Sequence, residues 1–208
     1  MSTSTRIPLA RATAIARALV EEMQPHCERI MIAGSIRRGS ETIGDIEICA
    51  LPRWAKDTDL FGAPYPVENT LYAWAVAQEK DGKIAWTKGF DPRGRYWQGV
   101  LPTGLKLDLF LPIPEGWAAI TLIRTGSAEF TERVMGFAKY RGYRFDAGVL
   151  KTIDGEVVLV EDEREVFDLL GLEYTPPCER TGAHAVVRKR GQWQQSTKLG
   201  VEMGGQGR

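Results

Sequence analysis

Residues 34–47 decide the fold of this chain, and they read Gly34-Ser35-Ile36-Arg37-Arg38-Gly39-Ser40-Glu41-Thr42-Ile43-Gly44-Asp45-Ile46-Glu47. They follow a short apolar run, residues 29–33, that is typical of a buried strand. After the Gly-Ser turn, residues 45–50 alternate acidic or small side chains with apolar ones, which predicts a second strand. Because alternate residues of a strand project to one side, Asp45 and Glu47 should share a face, about 6.6 Å apart along the chain.

Two carboxylates on one strand face suit a pair of magnesium ions, which lie about 3.5–4 Å apart in two-metal sites. Magnesium prefers oxygen ligands and keeps coordination positions for substrate phosphates. The turn at Gly34–Ser35 can offer backbone N–H groups and a hydroxyl to a triphosphate, and an arginine adds a bidentate contact. The stretch therefore indicates a site for metal and nucleotide, although Asp45 and Glu47 alone also fit the solvent face of an edge strand.

A third carboxylate is expected from a different strand. Residues 95–101 and 105–111 are strand candidates joined by a Pro-Thr-Gly turn. In the second of them, four leucines share one face, and Lys106, Asp108 and Phe110 share the other. An acid flanked by leucines needs a partner or a metal, so Asp108 is the candidate. The alternative is a surface ion pair between Asp108 and Lys106.

The rest of the sequence predicts a mixed α/β fold of the α+β kind. Apolar spacing and capping residues predict helices at 8–24, 67–80, 117–124, between Ser127 and Gly142, and at 163–170. Residues 51–65 are rich in Pro and Gly and are expected to form a loop. We expect a mixed β-sheet backed by helices over residues 1–114, a small α/β domain over 115–180, and a basic, flexible tail over 181–208.

Composition limits the classes of function. The 208 residues are 43% hydrophobic and 26% charged, as in ordinary globular proteins, and no run approaches the roughly 18 apolar residues of a membrane helix. Three cysteines and two histidines are too few and too scattered for a structural zinc site or a disulfide framework, so a cytoplasmic protein is expected. Net charge is zero, but residues 124–144 hold five basic and two acidic residues, so one basic face can still bind a phosphate backbone.

The order Gly-Ser-x-Arg-Arg-Gly, five residues, and then Asp-x-acid resembles the signature of DNA polymerase β and its family X relatives. The likeness continues at Arg6-Ile7-Pro8, at Leu107-Asp108-Leu109, at Thr125-Gly126-Ser127 and at residues 165–177, and so covers about residues 6–180. It implies a nucleotidyltransferase palm over 1–114, a thumb over 115–180, and a template-directed DNA polymerase of the repair or gap-filling type. It also implies that the amino-terminal lyase domain, the helix-hairpin-helix fingers and a multi-metal nuclease domain are missing.

The resemblance assigns roles by position. Two Mg²⁺ ions, with Mn²⁺ as a substitute, would be bound by Asp45, Glu47 and Asp108. With these ions the enzyme would transfer a nucleoside monophosphate from a dNTP to a primer 3′-OH and release pyrophosphate. The residues expected to bind the nucleotide are Ser35, Arg38, Gly44, Arg6, Thr125, Gly126 and Thr131. Those expected to contact primer or template are Lys106, Lys88, Arg95 and Arg124. The partners would be a DNA primer-template and a nucleoside triphosphate, and no membrane would be involved. The protein would be a monomer in a bacterial or virus-infected cell.

Five residues depart from the family pattern. Glu47 replaces the usual second aspartate, Ile43 a phosphate-binding serine, Met135 a template-contacting arginine, and Ile123-Arg124 an aromatic pair that helps in sugar selection. Two alternatives therefore stay open: the same chemistry with another acceptor, such as an RNA 3′ end or a small molecule, and a non-catalytic DNA-binding module that kept the fold. Three clustered negative charges weigh against the second, because they weaken binding to DNA.

Overall fold

The computed structural model of the protein describes residues 6–61 and 63–190. Its strands are β1 (Ile7–Pro8), β2 (Cys27–Ile32), β3 (Thr42–Ile43), β4 (Asp45–Pro52), β5 (Trp54–Thr58), β6 (Pro64–Asn69), β7 (Ala85–Lys88), β8 (Tyr96–Val100), β9 (Lys106–Phe110), β10 (Tyr143–Asp146) and β11 (Val149–Thr152). Its α-helices are α1 (Leu9–Met23), α2 (Gly34–Arg37), α3 (Thr70–Lys80), α4 (Trp117–Thr125), α5 (Ala128–Tyr140) and α6 (Glu163–Leu170). The mixed α+β fold expected from the sequence is confirmed.

Five strands form the central sheet, in the order β2-β4-β9-β8-β7. The pair β4–β9 is parallel, and the other neighbouring strands are antiparallel, so the sheet is mixed as predicted. Strand β4 lies inside the sheet, between β2 and β9. That position excludes the edge-strand interpretation of Asp45 and Glu47.

The two faces of the central sheet have different environments. Helices α1 and α3 cover one face, where alternate residues of β4 and β9 are fully buried in a shared apolar core: Ile46, Ile48, Leu107 and Leu109. On the opposite face, Phe110 of β9 packs in a cluster with Trp117 of α4. Because strand residues alternate between faces, Asp45, Glu47 and Asp108 lie on this second face. This face is turned toward residues 115–180, for which the name thumb is kept, as palm is kept for residues 1–114.

The second half of the described chain has a hydrophobic core of its own. Helices α4, α5 and α6 and the antiparallel hairpin β10–β11 enclose it. The Ser127 Oγ accepts a hydrogen bond from the Phe130 N–H at 3.2 Å, which confirms the predicted cap of α5. Gly171 ends α6 in the left-handed conformation, with φ of 68°, where glycine carries no steric penalty.

Residues 181–190, expected to begin a flexible tail, pack against the thumb. Val186 is buried in the thumb core, and the Lys189 Nζ donates to Asp168 Oδ1 at 2.7 Å. The Glu173 N–H also donates to the Val187 carbonyl at 2.8 Å. Residues 191–208, which complete the predicted tail, lie outside the described residues.

Three segments between residues 51 and 88 differ from expectation. Residues 51–65, predicted to form a loop, include the end of β4, the whole of β5 and the start of β6, and β5 pairs antiparallel with β6. The predicted helix at 67–80 begins only at Thr70, because residues 64–69 pair with β5 and the Asn69 side chain caps the helix by accepting from the Tyr72 N–H at 3.1 Å. Strand β7 adds an edge that the sequence pattern did not predict. No helix in the described part of the chain combines the length and apolarity needed to cross a membrane.

Candidate active site

The pairing of β4 with β9 brings the three predicted carboxylates together. Glu47 and Asp108 are Cα partners across these parallel strands, and Asp45 is paired with Lys106 two residues earlier. All three acidic side chains are half-buried on the same face of the sheet. No ion pair recorded in the described residues joins Asp108 to Lys106, so the surface-pair alternative finds no support.

The predicted Gly-Ser turn after β2 forms the single-turn helix α2, which fits closely against Glu47. Gly34 has φ of 62°, and a Cβ atom there would overlap Oε2 of Glu47. The Ala33 N–H donates to the Glu47 carbonyl at 2.8 Å, which fixes the two segments side by side. Glycine is therefore required both for the backbone conformation and for the close approach of the carboxylate.

The Ser35 hydroxyl is buried and has no hydrogen-bond partner. Its Oγ is one of two buried side-chain polar atoms among the described residues that have no hydrogen-bond partner. A buried hydroxyl without a partner costs about 1–3 kcal/mol, a cost that an arriving acceptor would remove. Because a phosphate oxygen is such an acceptor, the geometry at Ser35 fits the triphosphate expected there.

The basic side chains near the carboxylate cluster do not offset the effects of burial and of mutual repulsion on the pKa values of Asp45 and Glu47. Burial, and after it the charges of Asp45 and Asp108, raise the pKa of Glu47 to about 7 against the opposing effect of Arg38 and Arg124. Burial and the charge of Asp108 also raise the pKa of Asp45, although Lys106 and Arg6 oppose them. A divalent cation at this position would relieve the repulsion among the carboxylates.

The donor set suits magnesium that is shared with a substrate. Within residues 6–61 and 63–190, no three His, Cys, Asp or Glu side chains form a group that could hold a metal ion by itself. Like charges keep carboxylates apart when no cation lies between them. Because Mg²⁺ takes only one or two protein carboxylates and completes its sphere with water and phosphate oxygens, three carboxylates on one face still fit it.

Two residues that the sequence reasoning missed hold Asp108 in place. The Tyr96 hydroxyl and the Gln98 amide donate to Asp108 Oδ1 at 2.6 Å and 2.8 Å. Burial and the hydrogen bond to Asp108 raise the pKa of Tyr96 to about 12, so the phenol stays protonated as a donor. The alternation of β8 could have revealed both residues, because it places them on the face of the neighbouring strand that carries Asp108.

The two arginines of the Gly-Ser motif connect the palm to the thumb. Nη1 of Arg38 donates to the carbonyls of Thr125 and Gly126 at 2.7 Å and 3.2 Å. Nη1 of Arg37 donates to the Thr125 hydroxyl at 2.7 Å. The predicted phosphate-binding turn therefore lies against the predicted sugar-binding segment.

Arg37 also belongs to a buried ion-pair network. Its guanidinium forms a bidentate pair with Glu163 at 2.6 Å and 3.0 Å, and the fully buried Arg180 donates to the same carboxylate at 3.0 Å. Burial raises the pKa of Glu163, but the hydrogen bonds and charges of the two arginines outweigh burial and lower it overall. Local sequence patterns could not reveal this network, because Glu163 follows Arg37 by 126 residues.

The other predicted nucleotide-binding residues are divided between both domains. The Arg6 guanidinium donates to the Thr42 hydroxyl and carbonyl at 3.0 Å and 2.7 Å, next to the strand that carries Asp45. Gly44 lies directly between β3 and β4. The Thr131 hydroxyl donates to the Ile123 carbonyl at 3.2 Å, near the end of α4.

The predicted primer and template residues lie around Asp108. Lys106 is exposed, and the Lys88 Nζ lies 5.8 Å from the centroid of the Tyr96 ring. Arg95 and Arg124 line a cleft of about 370 Å³ between palm and thumb. The Arg124 guanidinium stacks 4.1 Å from the centroid of the Phe110 ring.

Comparison with known proteins adds a family likeness to this geometry. Residues 120–181 match the family described as DNA polymerase beta thumb. The chain is also 27% identical over 171 residues to DNA polymerase lambda of Rattus norvegicus, a match that covers 71% of this chain. The chain spans 28% of the length of that relative. Together the two matches support a chain that resembles the family X polymerases.

Proposed function

We propose that this chain is a template-directed DNA polymerase of the family X type, which transfers a nucleoside monophosphate from a dNTP to a primer 3′-OH with two Mg²⁺ ions and release of pyrophosphate. The register of β4 and β9 carries this proposal, because it sets Glu47 beside Asp108 with Asp45 on the same face. Similarity to a DNA polymerase beta thumb and to DNA polymerase lambda supports a DNA primer-template and a nucleoside triphosphate as partners.

In this function Asp45, Glu47 and Asp108 hold the two metal ions. Bound Mg²⁺ would lower the pKa of the primer 3′-OH and neutralise charge on the triphosphate. Tyr96 and Gln98 keep the Asp108 carboxylate oriented toward the site through their hydrogen bonds. The protein then contributes mainly positioning and charge neutralisation, as is general for phosphoryl transfer.

The triphosphate would lie at the turn that begins at Gly34. Ser35 offers its unpartnered buried hydroxyl, and Arg38 adds a positive charge that partly opposes the rise in the pKa of Asp45 and of Glu47. Arg38 simultaneously contacts the Thr125 and Gly126 carbonyls. One guanidinium thus connects the phosphate end of the substrate site with the segment that would face the sugar.

A second candidate function is the same transfer to an RNA 3′ end or to a small-molecule acceptor. Arg124 favours it, because this exposed cation lies on Phe110 and lines the cleft between palm and thumb together with Arg95. A cation there could contact an acceptor phosphate that is not part of a DNA duplex. A non-catalytic DNA-binding module is disfavoured by the three negative side chains on the substrate face.

Primer extension separates these functions. The chain is given Mg²⁺ and each of the four deoxyribonucleotides and four ribonucleotides in turn, with either a templated DNA duplex or a single-stranded RNA as acceptor. Addition of only the template-matched dNTP to the DNA primer supports the proposal. Untemplated addition to the RNA supports the second candidate, and binding without addition supports the module. Gap-filling repair, a cytoplasmic location and a monomeric state stay predictions.

A further inference from the structure

The cleft between palm and thumb begins directly beside the candidate metal-binding carboxylates. Tyr96, whose hydroxyl donates to Asp108 Oδ1 at 2.6 Å, forms part of its wall, and so does Phe110, two residues after Asp108 on the same face of β9. In the strand order β2-β4-β9-β8, Gly34 follows β2, whereas the cleft lies along β9 and β8. The cleft and the predicted triphosphate turn therefore lie on opposite sides of the carboxylates, as acceptor and leaving group do in an in-line displacement.

The size and the walls of this cleft fit a small planar ligand. Its volume of about 370 Å³ falls within the range of about 300–1,000 Å³ that small-molecule sites have. A cube of that volume has an edge of about 7 Å, less than the width of about 12 Å of a B-DNA major groove, so a duplex cannot enter. Tyr96, Phe110 and Ile120 give the cleft aromatic and apolar walls, which are suited to the flat face of a nucleobase.

Two arginines of the cleft are available to an anion. Arg95 and Arg124 are both exposed, and no acidic side chain lines the cleft. Among the described residues, no recorded ion pair involves either guanidinium. The Arg124 guanidinium carbon lies 4.1 Å from the centroid of the Phe110 ring, which in turn stacks on Tyr96. Because the N–H groups of a guanidinium lie in its own plane, this stacking holds the cation in place and leaves donors for a phosphate.

The thumb side of the cleft contains a residue in an unfavourable conformation. Ala147 and Gly148 form the turn between β10 and β11, and both line the cleft. Ala147 has φ of 49° and is the one non-glycine residue in the described part of the chain with a positive φ. Asn, Asp and glycine are the residues that such turns favour. Alanine keeps the wall free of a longer side chain at a conformational cost, and strain of this kind is concentrated at ligand sites.

We propose that this cleft binds one unpaired nucleotide unit, with its phosphate on Arg95 and Arg124 and its base against the apolar wall. The inference rests on the proposed function for the role of the site, because a nucleotide held there would lie on the acceptor side of Asp108. A free nucleotide and the last, unpaired nucleotide of a strand share this chemistry.

Isothermal titration calorimetry of the full chain with deoxyadenosine monophosphate, in EDTA, measures this binding without metal ions at the carboxylates. Deoxyadenosine and inorganic phosphate should each bind at least about tenfold more weakly, because each lacks one of the two contacts. Arg95→Gln/Arg124→Gln should also weaken nucleotide binding at least about tenfold. The matched control Arg11→Gln/Arg17→Gln removes two exposed arginines from α1 and should bind like wild type.

Three variants of Ala147 test the cleft without disturbing its backbone, because Asp, Asn and glycine all tolerate a positive φ. Ala147→Asp adds a carboxylate that repels the phosphate and should weaken nucleotide binding at least about tenfold. Ala147→Asn, which has nearly the same size, should weaken it about threefold or less, and Ala147→Gly should not weaken it. Circular dichroism checks folding. Equal affinities of the Asp and Asn variants, or equal losses in the two double-arginine variants, overturn the proposal.

An oligonucleotide with an unpaired 3′ end distinguishes the two sources of the nucleotide unit. If it displaces deoxyadenosine monophosphate and loses affinity in Ala147→Asp, the cleft takes the end of a strand. If it does neither while the free nucleotide still binds through Arg95 and Arg124, the cleft takes a free nucleotide.

Primer extension separates this inference from the proposed function. If the chain extends primers but nucleotide binding is insensitive to all the cleft variants, the cleft proposal fails by itself. If no nucleotide is added and binding still depends on Arg95, Arg124 and Ala147, the proposed polymerase function fails and the cleft remains a nucleotide site.

Discussion

Glu47 and Asp108 face each other as Cα partners on the parallel strands β4 and β9. Because burial and neighbouring carboxylates raise the pKa of Glu47 to about 7, this arrangement lowers the stability of the metal-free protein at neutral pH. A fold does not need such a concentration of negative charge, whereas a site for divalent cations does.

The first prediction concerns the cost of this cluster to folding. The pKa of Glu47 is raised in the folded state from 4.5 to about 7, so the folded state loses stability as the pH rises through that window. Without metal, Glu47→Gln should therefore raise stability by on the order of 2 kcal/mol at pH 8 and by little at pH 4.5. Thermal unfolding in EDTA at both values measures it.

Glu41→Gln is the matched control for this first prediction, because Glu41 is exposed on the same segment. It should change the melting temperature little at either pH. Equal stabilisation by the two variants at pH 8 would mean that the Glu47 carboxylate lowers the stability of the folded protein no more than an exposed glutamate does.

The second prediction concerns the network that joins palm and thumb. Glu163→Gln leaves Arg180 fully buried without its charged partner and should cost about 3–5 kcal/mol in urea unfolding at pH 7. The folded-state pKa of Glu163 lies below 4.5. The contribution of Glu163 to the free energy of unfolding is therefore present above pH 4.5 and is lost as the pH falls through the folded-state pKa. Wild type and variant should therefore converge in stability under acid.

The exposed Glu173 provides the comparison for Glu163. Glu173→Gln should behave like wild type at both pH 7 and acidic pH. A constant difference between wild type and Glu163→Gln across the whole pH range would show that the stabilisation comes from packing rather than from the ion pairs.

The third prediction uses two glycines with similar backbones. Gly34 and Gly39 have φ of 62° and 74°, but a Cβ atom at Gly39 would meet nothing within 4 Å, whereas one at Gly34 would overlap the Glu47 carboxylate. Gly34→Ala should displace Glu47 and lower nucleotide incorporation by about a hundredfold, the scale expected when a catalytic group moves by about 1 Å. Gly39→Ala should lose only stability, and similar incorporation rates for the two variants would count against a catalytic Glu47.

The fourth prediction treats Tyr96 as a positioning residue for Asp108. Tyr96→Phe removes the 2.6 Å hydrogen bond and keeps the ring that stacks on Phe110. We expect kcat to fall about tenfold, because a hydrogen bond to a charged group is worth about 1.5–3 kcal/mol, while KM for the dNTP changes less than about twofold. Tyr72→Phe, in the palm core, serves as control, and a change in KM alone would assign Tyr96 to nucleotide binding instead.

Sequence patterns predicted the elements whose signals are local. The sequence predicts a helix at 163–170, and helix α6 lies at Glu163–Leu170. Both ends have a local signal, because Asp162 caps the start by accepting from the Glu165 N–H and Gly171 follows the end. The hairpin β5–β6 was missed, since its prolines suggest a loop and its pairing partner is visible only in three dimensions. Strand β7 was missed as well, and its pairing with β8 likewise becomes visible only in the folded sheet.

The candidate site, like the helices and strands, could be predicted only where its residues give a local sequence signal. Asp45 and Glu47 could be chosen from strand alternation, and Asp108 because its neighbours Leu107 and Leu109 are apolar. The partner of Arg37 could not, because the contact with Glu163 spans 126 residues and has no periodic signal. Tyr96 and Gln98 could have been found by applying the alternation of β9 to the strand before it.

The most direct test of the catalytic site is template-directed incorporation of one dNTP in Mg²⁺ by wild type and by Asp108→Asn. The substitution keeps the size of the side chain and removes a charge that the metal ions need. Asp81→Asn makes the same chemical change at an exposed position after α3 and should leave the rate unchanged. Wild type is expected to extend the primer, and Asp108→Asn to fold normally but to turn over at less than about one hundredth of that rate. A folded Asp108→Asn with more than about a tenth of wild-type turnover, a loss below 1.4 kcal/mol, would contradict the assignment of the metal site.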